Sequence, residues 1–269
     1  MNANAPIGIF DSGIGGLTVV REVKRLLPNE NIIYVGDTAR VPYGSRDPVE
    51  ILKFMHQILH FFTKQKVKMA VFACNTMTTY GFQEAKESYP YLVTAMNSGV
   101  REAINRSHNK KIGVIATKGT VNNQMHSKAA EELDKLVKVY AKACPDFVPL
   151  IEGGTIAGRE IELLAKKYLM FFSEIDIDSL ILGCTHYPLI DRVIQNVIGN
   201  QVKLINPANA TAKDAIALLK KTNQLNTNQE AGSLKMCFSA DLDNARKMTN
   251  LVLSTNKAEF KLIKLEDYC

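Results

Sequence analysis

The chain has 269 residues, enough for one large domain or two of roughly 100–150 residues each. With 46% hydrophobic and 22% charged residues it can bury a real core, which excludes a disordered chain. The net charge of +6 is dispersed, with no basic arm and no Trp to stack bases, so nucleic acid is not an expected partner; nor is a membrane, since no apolar run approaches the roughly 20 residues that span a bilayer.

In chain order, residues 1–6 carry no basic segment, and the apolar stretch that follows is broken by Asp11 and three glycines. That is not a signal peptide, so the expected location is cytoplasmic, where thiols stay reduced. Short apolar runs at residues 7–10, 32–35, 69–73, 112–116, 147–151 and 180–182 read as buried strands. Helical spacing fills the segments between them, at residues 17–27, 48–64, 132–143 and 160–173. Strands alternating with helices predict a parallel sheet covered on both faces. Ligands of such sheets bind beyond the carboxyl ends of the strands.

The strand ends repeat. Ile7-Gly8-Ile9-Phe10-Asp11-Ser12-Gly13 has a counterpart in Ile112-Gly113-Val114-Ile115-Ala116-Thr117-Lys118, and Ala70-Val71-Phe72-Ala73-Cys74-Asn75-Thr76 matches Leu180-Ile181-Leu182-Gly183-Cys184-Thr185-His186. A weaker third pair sets Asp37, after Tyr34-Val35-Gly36, against Glu152, after Leu150-Ile151. The fold expected is therefore α/β: two similar domains with parallel sheets, related by a pseudo-twofold, with the active site in the cleft between them. Domain one takes residues 1–97 plus 207–269 and domain two residues 98–206, with crossovers near Gly99 and Pro207. Helical pattern at 211–221 and 244–255 completes the first domain.

Five cysteines at wide spacing (Cys74, Cys144, Cys184, Cys237 and Cys269) form neither a disulfide framework nor a zinc motif. A thiol between a buried strand and a helix start meets free N–H groups and the positive end of the helix dipole, which favour a thiolate. A single such cysteine is as well explained by simple burial. Two of them at equivalent points of a repeat, Cys74 and Cys184, suit one reaction especially: inversion of a stereocentre, with a base on one face and an acid on the other. Cys144, Cys237 and Cys269 read as structural or surface thiols.

The α-hydrogen of an amino acid is far less acidic than a thiol, so the site must stabilise developing negative charge. Backbone N–H groups after the strands, with Ser12, Thr76, Thr117, Thr120 and Thr185, are candidates to hold the substrate carboxylates. Asp11, His186 and Glu152 are candidates to assist proton movement. Asp11 can equally be a helix N-cap, and His186 a structural histidine. Gly13-Ile14-Gly15-Gly16 lacks the dinucleotide spacing and fits better as a backbone nest for a carboxylate. His56 and His60 stand four apart without a carboxylate in motif spacing, so no metal is expected.

These motifs, together with Gly36-Asp37-Thr38-Ala39-Arg40-Val41-Pro42-Tyr43-Gly44 and Leu182-Gly183-Cys184-Thr185-His186-Tyr187-Pro188, resemble the glutamate racemase family of the aspartate/glutamate racemase superfamily. The resemblance covers most of the chain. It implies two flavodoxin-like domains and a cytosolic enzyme interconverting L- and D-glutamate for peptidoglycan synthesis, without pyridoxal phosphate, metal or nucleotide. It implies Cys74 as the base toward D-glutamate and Cys184 toward L-glutamate, assisted by Asp11, Glu152 and His186. The substrate-binding positions it implies are Asp11, Ser12, Tyr43, Gly44, Asn75, Thr76, Thr185 and His186, and a homodimer is the usual assembly.

Two segments depart from the family pattern: Thr94-Ala95-Met96-Asn97-Ser98-Gly99 in place of a Gly-Val-Ile-x-Pro-Gly run, and Met77-Thr78-Thr79 where small residues are common. The short N-terminus lacks the extension of members activated by a peptidoglycan precursor, so no such activation is expected. Alternatives left open are a racemase of aspartate or another acidic compound, and a regulatory binding protein on the same scaffold, as some members are reported to inhibit DNA gyrase.

Overall fold

The computed structural model describes residues 2–255 and 257–268. Its elements follow the order β1 (Ile7–Asp11), α1 (Leu17–Leu26), β2 (Ile32–Gly36), α2 (Pro48–Lys64), β3 (Met69–Phe72), α3 (Asn75–Ser88), β4 (Leu92–Thr94), α4 (Val100–Arg106), β5 (Lys111–Ala116), α5 (Lys118–Asn123), α6 (Met125–Leu133), β6 (Lys138–Ala143) and α7 (Phe147–Glu152). The remainder comprises α8 (Arg159–Leu169), β7 (Ser179–Gly183), α9 (Asp191–Ile198), β8 (Lys203–Ile205), α10 (Ala208–Lys221), β9 (Leu234–Phe238), α11 (Leu242–Leu253) and β10 (Glu259–Leu262). Two compact units result, one from the segments up to Asn97 and from Ala208 onward, the other from Ser98–Pro207.

Unit 1 holds a six-stranded sheet, β10-β9-β2-β1-β3-β4, and unit 2 a four-stranded sheet, β6-β5-β7-β8. Every pairing is parallel, so the chain adopts the α/β architecture with two parallel sheets expected from the alternation. The order β2-β1-β3-β4 recurs as β6-β5-β7-β8. Strands β1, β2 and β3 are buried along their whole length, as two-sided cover requires.

Helix α2 illustrates how the cover forms. Asp47 caps it by accepting from Val49 N–H, and Pro48 occupies its first position, where no N–H is needed. Its buried Ile51, Met55, Ile58 and Phe62 recur at helical spacing and pack on Phe10 and Phe72 from the sheet. The Phe10 and Phe72 rings meet edge-on at 4.5 Å, a favoured aromatic geometry. In unit 2 the corresponding core joins Ile112 and Val114 of β5 to Val100 and Ala103 of α4 and to Ile181 of β7.

Three expectations are corrected. Residues 147–151 form helix α7, not a strand: Phe147, Val148 and Ile151 are its buried residues, a helical spacing, and Pro149 would cost an interior strand a ladder bond while fitting the first turn of a helix. Residues 132–143 are not one helix; α6 stops at Leu133 and 138–143 form edge strand β6, where Val139 and Ala141 pack on the core from one face. The third repeat pair consequently fails. Asp37 N–H donates to Asp11 C=O at the end of β1, and the equivalent bond from Cys144 N–H reaches Ala116 C=O at the end of β5, so Cys144, not Glu152, is the positional counterpart of Asp37.

Strands β4, β8, β9 and β10 had no sequence signal strong enough to mark them. Two of them have three residues, too short for any periodicity. The departing segments meet one another in unit 1: Met96 N–H donates to Thr78 Oγ1 at 3.2 Å. Asn97 is held in turn, its N–H by Thr211 Oγ1 at 2.9 Å and its Nδ2 by Asp214 at 2.7 Å.

Candidate active site

Each unit gathers a thiol and polar side chains beyond the carboxyl ends of its strands. In unit 1, Cys74 follows β3 with extended backbone and is the N-cap residue of the fourteen-residue helix α3, so the positive end of a full helix dipole lies next to the sulfur. Its Sγ donates to Ser12 Oγ at 3.9 Å. Ser12 sits on the β1–α1 loop, where the Asp11 carboxylate accepts from Gly13 N–H at 2.9 Å. The N-cap of α1 is Gly16, not Asp11, which leaves the capping reading of Asp11 without support.

Asn75 and Thr76 open α3 and are buried. Neither side-chain polar atom of Asn75 has a hydrogen-bond partner. A buried amide left this way costs roughly 1–3 kcal/mol, which points to a polar group it is built to meet. Its Oδ1 is suited to an ammonium and its Nδ2 to a carboxylate.

A second network, which sequence reasoning did not assign to the site, supports Tyr43. Asp37 is fully buried and accepts from Tyr43 Oη, from Arg40 Nε at 2.6 Å and from Ser239 Oγ at 2.7 Å. Arg40 also donates to Gln57 Oε1 at 2.6 Å and lies over the Phe54 ring, 3.9 Å from its centroid, a cation–π contact. Burial, then the Asp37 charge, pushes the Tyr43 phenol well above its usual range, so it stays a donor. Tyr43 shares the buried cluster of Cys74, and Gly44 follows it after the cis Val41–Pro42 bond. The only sequence hint was an acid directly after a buried strand.

In unit 2, Cys184 follows β7 and leads into a 3₁₀ turn, Tyr187–Ile190, before α9. It therefore lacks the regular helix start expected for it. Histidine and carboxylate stand there instead: Cys184 Sγ lies 3.7 Å from His186 Nδ1, and His186 Nε2 lies 2.5 Å from Glu152 Oε1. Burial pulls the His186 pKa down, but hydrogen bonds to Cys184 and Glu152 and the charges of both outweigh it, leaving it well above the usual value. His186 thus stands between sulfur and carboxylate, and both contacts favour its protonated form. Glu152 reaches it from the last residue of α7.

Thr185 is buried beside this chain of groups. Thr117 caps α5, accepting from Thr120 N–H at 3.4 Å and donating to Thr120 Oγ1 at 3.1 Å. Tyr187 Oη donates to Cys144 C=O at 2.8 Å, tying the residues after β7 to those after β6. Cys144 and Cys237 are buried thiols whose pKa values burial raises, that of Cys237 to about 11, which suits structural roles; Cys269 lies outside the described residues.

Among the described residues no three His, Cys, Asp or Glu side chains cluster as metal ligands would. Both ring nitrogens of His56 are engaged, by Tyr89 Oη and Glu84, each at 2.8 Å. No helix among the described residues is long and apolar enough to cross a membrane.

Residues 7–215 match the family model described as Asp/Glu/Hydantoin racemase. A glutamate racemase of Thermoanaerobacter sp. (strain X514) is 44% identical over 263 residues, covering 98% of both chains. Among solved structures, glutamate racemase from Francisella tularensis in complex with D-glutamate superposes with a TM-score of 0.90 at 36% identity, covering 99% of this chain and 100% of that one. Glutamate racemase from Thermus thermophilus in complex with β-chloro-D-alanine gives 0.85 at 33% identity, covering 99% and 100%.

Proposed function

The chain belongs to the Asp/Glu/Hydantoin racemase family, and on that premise we propose that it interconverts L- and D-glutamate by transferring protons between carbon and two cysteines. One observation carries the reading: Cys74 and Cys184 occupy equivalent positions just past the third strand of two units that share one strand order. Each thiol has its own polar support.

In the direction from L- to D-glutamate, the Cys184 thiolate takes the α-hydrogen and the Cys74 thiol donates its hydrogen to the other face of the carbon. The reverse direction exchanges the roles. The His186 imidazolium steadies negative charge on the Cys184 sulfur and is itself oriented by Glu152. Cys74 draws on the start of α3 and on Ser12 and Asp11. Asn75, with Thr76, Tyr43 and Gly44 from unit 1 and Thr185, Thr117 and Thr120 from unit 2, is proposed to bind the ammonium and carboxylates of the substrate. Fixed donors there offset the charge that builds as the α-hydrogen leaves.

D-glutamate is a component of peptidoglycan, and the proposed setting is wall synthesis in the cytoplasm, by a homodimer. The test is α-hydrogen exchange in deuterated water with wild type, Cys74→Ser and Cys184→Ser. Solvent deuterium should enter the product enantiomer, and either substitution should abolish racemisation while the fold survives. Full activity in both variants would sink the mechanism. Circular dichroism on L-glutamate and L-aspartate tests the substrate, with glutamate expected to turn over.

A further inference from the structure

Tyr34 is a buried residue of β2 whose hydroxyl points at the glycine-rich loop. It donates to Gly13 C=O at 2.5 Å, while Gly13 N–H is held by the Asp11 carboxylate at 2.9 Å. The two polar groups of this glycine are thus fixed from two strands, and Ser12, the hydrogen-bond partner of Cys74, is the residue directly before it.

The surrounding glycines are shaped to this contact. A Cβ on Gly36 would lie 2.5 Å from Gly13 O, so only glycine lets that carbonyl dip toward the sheet. A Cβ on Gly16 would lie 2.9 Å from Tyr34 Cε2 and Oη and 2.7 Å from Asp11 Cβ. The tyrosine ring meets Phe238 edge-on, centroids 5.6 Å apart, an apolar contact separate from the hydroxyl's bond to Gly13. A purely apolar strand position needs no hydroxyl; here the hydroxyl meets a buried carbonyl that would otherwise lose its partner.

From this geometry we infer that Tyr34 is a positioning residue of the Cys74 half-site, its hydroxyl setting the Asp11–Gly13 turn and through it the placement of Ser12 against the sulfur. The inference rests on the reading of Cys74 as a reacting thiol. Removing the hydroxyl frees the Gly13 carbonyl to turn toward water. Ser12 and Asp11 then shift together, and the environment of Cys74 changes while that of Cys184, in the other unit, does not.

The experiment compares wild type, Tyr34→Phe and Phe238→Leu. Alkylation of Cys74 and Cys184 by iodoacetamide is followed in the same folded protein by peptide mass spectrometry, beside kcat and KM for both glutamate enantiomers and thermal melting. Tyr34→Phe keeps the ring, so it should fold. Its Cys74 alkylation rate should change at least about threefold with Cys184 unaltered, and KM should rise about three- to tenfold, as loss of one net hydrogen bond implies. Phe238→Leu should lower the melting temperature and leave Cys74 alkylation at the wild-type rate. The inference is overturned if Tyr34→Phe fails to fold, leaves Cys74 reactivity and KM unchanged, or alters both thiols alike. It is equally overturned if Phe238→Leu reproduces the Cys74 effect. Wild type inactive on glutamate would sink the proposed activity, whereas the alkylation comparison uses no substrate and still reads the loop.

Discussion

Buried His186 and half-buried Glu152 form a pair, Nε2 to Oε1 at 2.5 Å, through the ring nitrogen that does not face Cys184. Glu152 therefore reaches the sulfur only through the ring, and its contact is one of the causes that raise the His186 pKa.

Replacing Glu152 by Gln removes one of the causes that hold the His186 pKa up. The imidazolium should then lose its proton at lower pH than in wild type. The alkaline limb of the kcat/KM profile should move down, and catalysis should remain near its lower plateau only under more acidic conditions. The stability supplied by the pair follows the same sign. A raised folded-state pKa gives stability that is complete below the free imidazole value of about 6.5 and is lost as pH rises through the folded value. Unfolding midpoints of the two proteins across pH check this; an unshifted alkaline limb in Glu152→Gln contradicts it.

His126 is the opposite case. Burial lowers its pKa to about 4, its Nε2 has no hydrogen-bond partner, and its Cε1 would lie 3.1 Å from a Cβ on Gly183. It is neutral in the folded state and charged on unfolding below about pH 6.5. Stability is therefore complete above that value and falls as pH drops toward 4, by roughly 3 kcal/mol at most. His126→Phe should flatten this acid loss, read as urea unfolding at pH 7 and pH 4.5. An identical pH dependence in variant and wild type counts against it.

Lys68 and Glu30 form a fully buried pair, 2.5 Å apart, at the amino end of β3. The lysine also donates to the carbonyls of Ala3 and Gln224, and Glu30 accepts from Asn226 N–H, so the pair ties together three separate loops. Lys68→Met strands a buried carboxylate and should cost about 3–5 kcal/mol, and Lys68→Met with Glu30→Leu should recover part of that loss. Denaturant unfolding of the three proteins measures it. A double variant no more stable than Lys68→Met would show that the loops, not the charges, set the cost.

Tyr43→Phe takes from Asp37 one of three donors to a buried charge, a loss of about 1.5–3 kcal/mol in stability. Arg40 and Ser239 remain, so the unit should still fold. Since Tyr43 packs with Cys74 and precedes Gly44, KM for glutamate should rise several-fold. Unchanged KM with lowered stability would confine Tyr43 to the core.

The fold was legible where sequence carries the physics locally. Buried parallel strands such as 7–11 and 32–36 are continuous apolar runs, and helix α2 announces itself through Asp47, Pro48 and a helical apolar stripe. The equivalent placement of Cys74 and Cys184 at two strand ends was legible as well, because polar residues recurred with the apolar ones there. What failed was the region where apolar content is ambiguous. Residues 147–151 are as apolar as a strand, and 138–143 as polar as a helix, so burial alone could not assign them. Pro149 and the alternation of Val139 with Ala141 decide both, once the neighbours are known.

By itself the sequence determined the repeat, the two thiols and the class of chemistry they suit, because side-chain type and spacing along one strand fix those. It did not determine which groups serve each thiol. That Cys74 has a full helix start while Cys184 has a histidine and a carboxylate, that Asp37 answers to Cys144 and not to Glu152, and that Tyr34 hydrogen-bonds the glycine loop, are all tertiary facts. Each depends on side chains brought together from different strands and loops, and hydrogen bonds over such separations follow from packing, not from any local pattern in the chain.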